Sequence, residues 1–371
     1  MNEADVRVQG TGIVGRCLAL ALARLGLKVA LRAPSLRSDA TERVDVRAYA
    51  LSAASVALLR ELRVWDTLPA GARTAVYDMQ VRGDAPGAHI EFSAWQQRVA
   101  ELAWIVDAPL LERELAAAIG FAANIARVDE DVPAALVALC DGKDSSARER
   151  LAVPVRRHDY RQSAIAARLV ASQPHAGIAH QWFTPDGVLA LLPFDSPTPQ
   201  CSYALVWSLP TARAAALSAL DPAAFEAALH GASGGAAGTL TLASERAAWP
   251  LTLAQAEAWC GPGWVLLGDA AHVVHPLAGQ GLNLGLADVA TLARVIAQRE
   301  PWRGLGDERM LRRYVRERAA PTWAMARLTD TLENLYNHPA PAARVLRNRG
   351  LTLVNRLAPV KRWLAARALD S

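Results

Sequence analysis

The chain has 371 residues, 52% of them hydrophobic and 20% charged, enough to bury a large core as one big domain or two interleaved ones. That balance excludes a disordered chain. The net charge of +4 rests almost wholly on arginine, since lysine occurs only at Lys28, Lys143 and Lys361, and so mild an excess argues against a nucleic-acid partner.

Cys17, Cys140, Cys201 and Cys260 are far apart and make no CxxC pair, which argues against a metal site or a disulfide framework and fits a reducing compartment. The N-terminus lacks a basic stretch followed by an apolar run and a small-residue cleavage site, and no apolar run reaches the ~18 residues of a membrane span. A cytoplasmic location is therefore expected.

Val6 to Gln9 reads as a short strand, followed by Gly10, Thr11, Gly12, Ile13, Val14 and Gly15, an Ala- and Leu-rich helix to Leu25, and a second strand from Lys28 to Leu31. Gly10 permits the tight turn, Gly12 lets backbone approach a pyrophosphate, and Gly15 allows close helix packing, so these residues form a βαβ dinucleotide fingerprint in its expected context. One part departs from the pattern. An acidic residue about 20 positions on should hold the ribose hydroxyls, yet the second strand ends Leu31, Arg32, Ala33, Pro34, with no carboxylate until Asp39. Arg32 leaves open a 2′-phosphate partner or a plain surface arginine.

Further on, Ser52 is placed to cap a helix whose apolar side includes Val56, Leu58, Leu59 and Leu62. Tyr77 to Trp95 carries alternating and aromatic residues around Gly83, Asp84, Pro86 and Gly87, which predicts a hairpin and the start of a β-rich layer. Leu110, Leu111, Leu115 and Ile119 predict a returning helix. Ala135 to Cys140 then reads as a buried strand ending in Asp141 and Gly142, trailed by Lys143, Ser145, Ser146 and Arg148.

Between Tyr160 and Leu209 the β-favouring runs 179–183, 188–192 and 203–207 predict a sheet that walls a pocket. His175, His180, Trp182 and Phe183 within it are read as packing or edge residues. Gly231 to Gly238 is the one low-complexity patch and reads as a surface loop.

The densest chemistry lies between Trp264 and Asp288. Val265, Leu266 and Leu267 predict a buried strand that delivers Gly268 and Asp269 to a loop; His275 and Pro276 then precede Gly279, Gln280 and Gly281, whose peptide N–H groups meet a ligand without Cβ interference. From Leu282 the apolar residues Leu286, Val289, Leu292, Val295 and Ile296 recur at helical spacing, which sets those N–H groups at a helix N-terminus suited to an anionic or electron-rich group. Met310 to Asn337 predicts a long helix interrupted at Pro321. Arg344 to Ala368 is a basic amphipathic stretch suited to an anionic bilayer, or equally to packing on its own protein or a sister subunit.

GDAAHVVHPLAGQGLNLGLADV, residues 268–289, resembles the second flavin-contacting motif of the FAD-dependent aromatic hydroxylases, in this spelling the ubiquinone-biosynthesis hydroxylase branch. The resemblance extends through DVRAYALSAASVALLRELRVWD, the DG segment after Cys140, QSAIAARLV, AHQWFTPDGVLALLPF, ALVWSLP, YVRER and RNRGLTLVNRLAPVKR, and so covers nearly the whole chain. It implies an α/β fold in which a Rossmann-like FAD-binding domain (1–75, 106–158 and 251–300) interleaves with a β-sheet substrate domain (76–105 and 159–250), followed by a C-terminal helical region (301–371). The implied enzyme is a monooxygenase whose FAD is reduced by NAD(P)H, reacts with O2 to give a C4a-hydroperoxide and hydroxylates an activated ring, here a polyprenyl-phenol of ubiquinone biosynthesis, while the protein supplies orientation and a dry pocket. No catalytic triad or metal cluster is required.

On that resemblance Arg47 approaches the flavin nucleotide, and Asp141 and Gly142 belong to a loop touching both FAD and the pyridine nucleotide. Asp269 holds the ribityl and pyrophosphate region, Pro276 shapes the flavin's substrate face, and Gly279, Gln280 and Gly281 stabilise negative charge near its pyrimidine end, with Gly268, Leu282 and Asn283 also among the cofactor-binding residues. His275 and Pro276 are the positioning candidates. Two alternatives stay open: a soluble aromatic-catabolism hydroxylase that shares every flavin motif, and a non-catalytic assembly protein that keeps the fold. Implied partners are the aromatic substrate, a membrane surface or ubiquinone-biosynthesis proteins, and a second copy of the chain.

Overall fold

In a computed structural model of the protein, residues 4–33, 45–85, 87–184, 187–274 and 280–337 are described. His275, Pro276, Gly279 and the basic stretch 344–368 lie outside them.

The first unit is β1 (Ala4–Gln9), α1 (Ile13–Arg24) and β2 (Val29–Arg32), then β3 (Ala48–Leu51) and α2 (Ala53–Glu61). Next come β4 (Arg73–Val76), the hairpin β5 (Asp78–Arg82) and β6 (His89–Ser93), α3 (Ala94–Gln97), β7 (Ala103–Asp107) and α4 (Ala108–Phe121). β8 (Ile125–Val128), β9 (Ala134–Leu139) and α5 (Ser146–Arg150) return to the first unit. The β-rich stretch holds β10 (Val155–Ala171), β11 (Ile178–Thr184), β12 (Gly187–Phe194) and β13 (Ser202–Pro210), then α6 (Thr211–Ser218), α7 (Pro222–Ser233), β14 (Leu240–Leu242) and β15 (Ala247–Ala256). The chain closes with β16 (Cys260–Gly261), β17 (Trp264–Leu266), a 3-10 turn (Gly268–Ala270), β18 (His272–Val273), α8 (Gln280–Ala297) and α9 (Glu308–Asn337).

These strands sort into three sheets. A six-stranded sheet runs β16-β17-β9-β1-β2-β8, parallel except for the β16–β17 pair. Its strands carry the near-continuous apolar runs of a sheet covered on both faces, and Val6, Val8, Leu136 and Val265 are fully buried against Leu18 and Leu22 of α1 and Leu286, Val289 and Leu292 of α8. The nine-stranded sheet runs β18-β15-β10-β13-β12-β11-β5-β6, with β14 beside β10, and β3-β7-β4 form a third.

Period-two alternation gives the large sheet two unlike faces. Ile165, Ala167 and Leu169 of β10 and Tyr203, Leu205, Trp207 and Leu209 of β13 pack with Phe225 and Leu229 of α7. Their alternates, such as Ala166, Ala204 and Val206, face a cavity.

Two sequence expectations need correction. Gly231 to Ser233 belong to the end of α7 rather than to a loop, because Phe225 and Leu229 bury the helix's apolar side and carry it past the first glycine; the turn that follows lies at the surface, with Gly234 exposed. Nor does Pro321 break the last helix, since α9 runs through it without interruption. The ring removes one backbone donor, but buried Met310, Leu311 and Tyr314 before it and Thr322 after it anchor both halves. Among the described residues no helix is long and apolar enough to cross a membrane.

Candidate active site

The turn from β1 to α1 is shaped by glycines that tolerate no side chain. Gly10 has φ +115°, and a Cβ there would sit 2.2 Å from the Cys140 carbonyl oxygen, while one on Gly15 would sit 2.0 Å from that of Gly10. At Gly12 a Cβ would meet nothing within 4 Å, so open space rather than protein lies beside it. Gly12 caps α1 without a side-chain bond, which leaves the first N–H groups of the helix free for an anion.

Gly10, Thr11, Gly12, Ile13 and Val14 line a cavity of about 640 Å³ whose lining also includes Gly281 and Leu282 at the start of α8. Two glycine-bearing loops from distant parts of the chain thus face one space. Gly15, Gly268 and Asn283 stand behind that lining. The Asn283 side chain donates to Ala50 O at 2.9 Å and accepts from Ser52 N at 3.0 Å and Ser55 Oγ at 2.7 Å, so it joins α8 to α2 and β3. Gln280 is the first residue of α8.

Where the fingerprint calls for a ribose carboxylate, Arg32 is already engaged, donating to Asp131 at 2.7 Å and to the Asp129 carbonyl at 3.3 Å. The guanidinium is therefore a partner of the β8–β9 loop.

Arg47 lines the cavity. It donates from Nη2 to Asp45 at 2.6 Å, from Nη1 to the Tyr49 hydroxyl at 3.0 Å and again from Nη2 to Glu112 at 3.4 Å. Those bonds, with Asp45 first, hold its pKa above the usual arginine value. Arg168 on β10 donates to the Arg47 carbonyl at 2.8 Å and to Asp107 at 3.1 Å, which ties the large sheet to the segment that carries Arg47.

Asp141, Gly142 and Lys143 also line the cavity. Asp141 Oδ2 accepts from Ala147 N at 3.4 Å, while its buried Oδ1 has no hydrogen-bond partner among the described residues. Arg148, 2% exposed, donates to Ala270 O at 2.7 Å and Lys143 O at 2.9 Å. It thereby braces the DG loop against the Gly268–Ala270 turn.

Asp269 opens onto the cavity, yet surrounding protein shields it from bulk water. Burial pushes its carboxyl above the ordinary range, opposed by His272, Lys143 and Arg47. Behind it is an arrangement that sequence reasoning missed. Fully buried Asp288 accepts from Gly268 N at 2.9 Å, meets His272 Nε2 at 2.7 Å and accepts from Arg318 Nε at 2.8 Å. Burial resists its ionisation, but His272 and then Arg318 outweigh that and bring its pKa below the usual carboxylate value. The ionised Oδ2 accepts, so His272 Nε2 carries the proton. One carboxylate from α8 and one arginine from α9 thus fix the turn that presents Asp269.

Opposite the glycine loops the cavity meets the large sheet at Met79, Val188, Ala190, Leu192, Ala204 and Val206, with Trp249, Pro250, Leu251 and Thr252 from β15. The polar side chains in this wall are Gln181, Ser208 and Thr252. His175, His180, Trp182 and Phe183 are absent from it: His180 and Trp182 stack at 5.5 Å behind the sheet, and His175 Nε2 lies 3.4 Å from Asp195.

A family model described as FAD binding domain matches residues 120–329. The chain is also 31% identical to 3-demethoxyubiquinol 3-hydroxylase of Escherichia coli (strain K12), over 99% of each chain. It belongs to the FAD-dependent aromatic hydroxylases. The hydroxylase shares 30% identity with ubiquinone hydroxylase UbiL of Rhodospirillum rubrum, over 99% of its own length and 90% of that protein's. Two solved structures share its fold. PqsL, a probable FAD-dependent monooxygenase from Pseudomonas aeruginosa, covers 95% of the hydroxylase with all of its own chain at TM-score 0.76 and 21% identity. p-Nitrophenol 4-monooxygenase PnpA from Pseudomonas putida DLL-E4 matches at TM-score 0.77 and 16% identity, over 100% of the hydroxylase and 99% of PnpA.

The residues present fit FAD: an uncapped helix start beside an open Gly12 suits a pyrophosphate, and the partnerless Asp141 Oδ1 and the cavity-facing Asp269 suit hydroxyl donors. Bound FAD supplies the electron transfer and oxygen activation, for which no side chain suffices. Around it the hydroxylase's own residues bind, orient and exclude water.

Proposed function

We propose that this FAD-dependent monooxygenase hydroxylates the ring of a phenol bearing a polyprenyl tail, an intermediate of ubiquinone biosynthesis, with NAD(P)H as reductant. The observation that carries this reading is the wall of the cavity on the large sheet, where apolar side chains dominate and no described residue is a lysine, arginine or histidine, the cavity's Arg47 and Lys143 standing on the side of the glycine loops. A small aromatic acid brought against such a wall leaves a desolvated carboxylate without a cation. A tail gains about 25 cal/mol for each Å² of apolar surface it buries there. The ubiquinone hydroxylases among its relatives support the same substrate class. Within this reading, His275 and Pro276 position the ring, and Gly279, Gln280 and Gly281 contact the flavin.

Turnover of a prenylated phenol against a small phenolic acid tests the proposal. The prenylated compound should accelerate NAD(P)H oxidation and return a hydroxylated product, while the acid should leave the rate at background. The reverse ranking would assign the enzyme to soluble aromatic catabolism.

Peripheral membrane contact follows from the same chemistry, because such a substrate resides in a bilayer. The arginines between Arg344 and Arg367 support attraction to an anionic surface. Co-sedimentation with phosphatidylglycerol vesicles but not with phosphatidylcholine vesicles is the expected result, and equal binding to both would remove this part.

A further inference from the structure

One side chain in the cavity wall does not suit its surroundings. Across the large sheet Gln181 lies opposite Ala190, Ala190 opposite Val206, and Val206 opposite Ala166, with Val81 on the other side of Gln181, so an amide interrupts a row of otherwise apolar residues. Its neighbours along β11, His180 and Trp182, point to the opposite face and stack on each other there. Gln181 is half-buried, lines the cavity, and makes no side-chain hydrogen bond to any described residue. Its amide therefore faces the cavity rather than a partner in the protein, open to whatever occupies that space.

What the amide offers is specific. It presents one donor and one acceptor group and no charge, which matches a phenolic hydroxyl on both counts. The small side chain of Ala190 beside it, with Val206 and Ala166 on the next two strands, leaves a flat ring room to lie against the sheet.

We infer that Gln181 hydrogen-bonds a hydroxyl on the substrate ring and so sets which ring carbon is presented for oxygenation; this rests on the phenol reading above. A pocket built to hydrogen-bond a hydroxyl rejects the analogue that lacks it, because its own polar group is then stranded.

The test compares a prenylated phenol with its methyl ether on the FAD-loaded wild type, Gln181→Leu and Gln181→Glu. Two quantities are measured: the dissociation constant from the change in flavin absorbance, and the share of NAD(P)H oxidation that ends as hydrogen peroxide. The wild type should bind the phenol about tenfold or more tightly than the ether. In Gln181→Leu that ratio should fall towards one, with both compounds still bound through the tail and the peroxide share raised. Gln181→Glu keeps an acceptor and should retain the preference for the phenol. A Gln181→Leu enzyme that discriminates as the wild type does would overturn the inference while leaving the proposed function standing. A wild type that binds neither compound would overturn both.

Discussion

At Gly12 a side chain would meet no protein atom, and at Gly10 it would strike the Cys140 carbonyl. The two glycines therefore separate binding from folding. Gly12→Val should keep thermal stability within about 1 kcal/mol of wild type, as for a substitution into open space, yet lower FAD affinity at least tenfold, read as absorbance at 450 nm against 280 nm after gel filtration. Gly10→Val should lose the fold along with the flavin. A Gly12→Val protein that purifies fully yellow would remove the cofactor from this turn. His180 offers a pH test. Burial first, and Arg82 second, lower its pKa from 6.5 to about 4, so between those values the unfolded chain binds a proton that the folded chain refuses. Stability should drop by up to about 3 kcal/mol as pH falls through that window. His180→Phe should flatten this part of the melting-temperature curve, and an unchanged curve would assign the loss elsewhere. Single residues with a local signature, such as Gly10, Gly15 and the Ser52 cap, were legible in the sequence. Gln181 was not, because only the strand register shows which face it occupies.

Among elements, α8 and α9 do more than cover the parallel sheet. Asp288 on α8 and Arg318 on α9 meet at 2.8 Å, with the Gly268 amide and His272 on the other carboxylate oxygen. Removing one member strands a buried charge, so Asp288→Ala should cost about 3–5 kcal/mol in chemical unfolding, and Arg318→Lys should keep most of the stability while loosening FAD. Because the folded-state pKa of Asp288 is depressed, its contribution is complete above the ordinary carboxylate range and disappears only as pH falls through that lowered value. An Asp288→Ala enzyme as stable as wild type would make this cluster incidental. The spans of α1, α2, α4 and α8 followed from periodicity, whereas α6, α7 and β15 carried no reading in the sequence. The cluster did not, since Gly268, His272, Asp288 and Arg318 belong to four elements and share no spacing rule. Pro321 misled for a related reason: its local penalty is visible in sequence, whereas the buried side chains that outweigh it belong to tertiary structure.

For the whole molecule, the apolar patterning separated a parallel α/β layer from a β-rich layer, and the spelling of residues 268–289 placed both in one family. What periodicity could not supply was the space between the layers, which exists only once Gly10 to Val14, Gly281 and the small residues of the large sheet are brought face to face. Arg168 spans the seam of that space, its guanidinium reaching the Arg47 carbonyl and the Asp107 carboxylate. The large sheet and the segment that carries Arg47 are thus pinned together at this residue. Prising it out with Arg168→Met should leave either half intact but let them drift out of step, so that more reductant is consumed per ring oxygenated. A stoichiometry of one, unchanged from wild type, would show that the halves keep time without it.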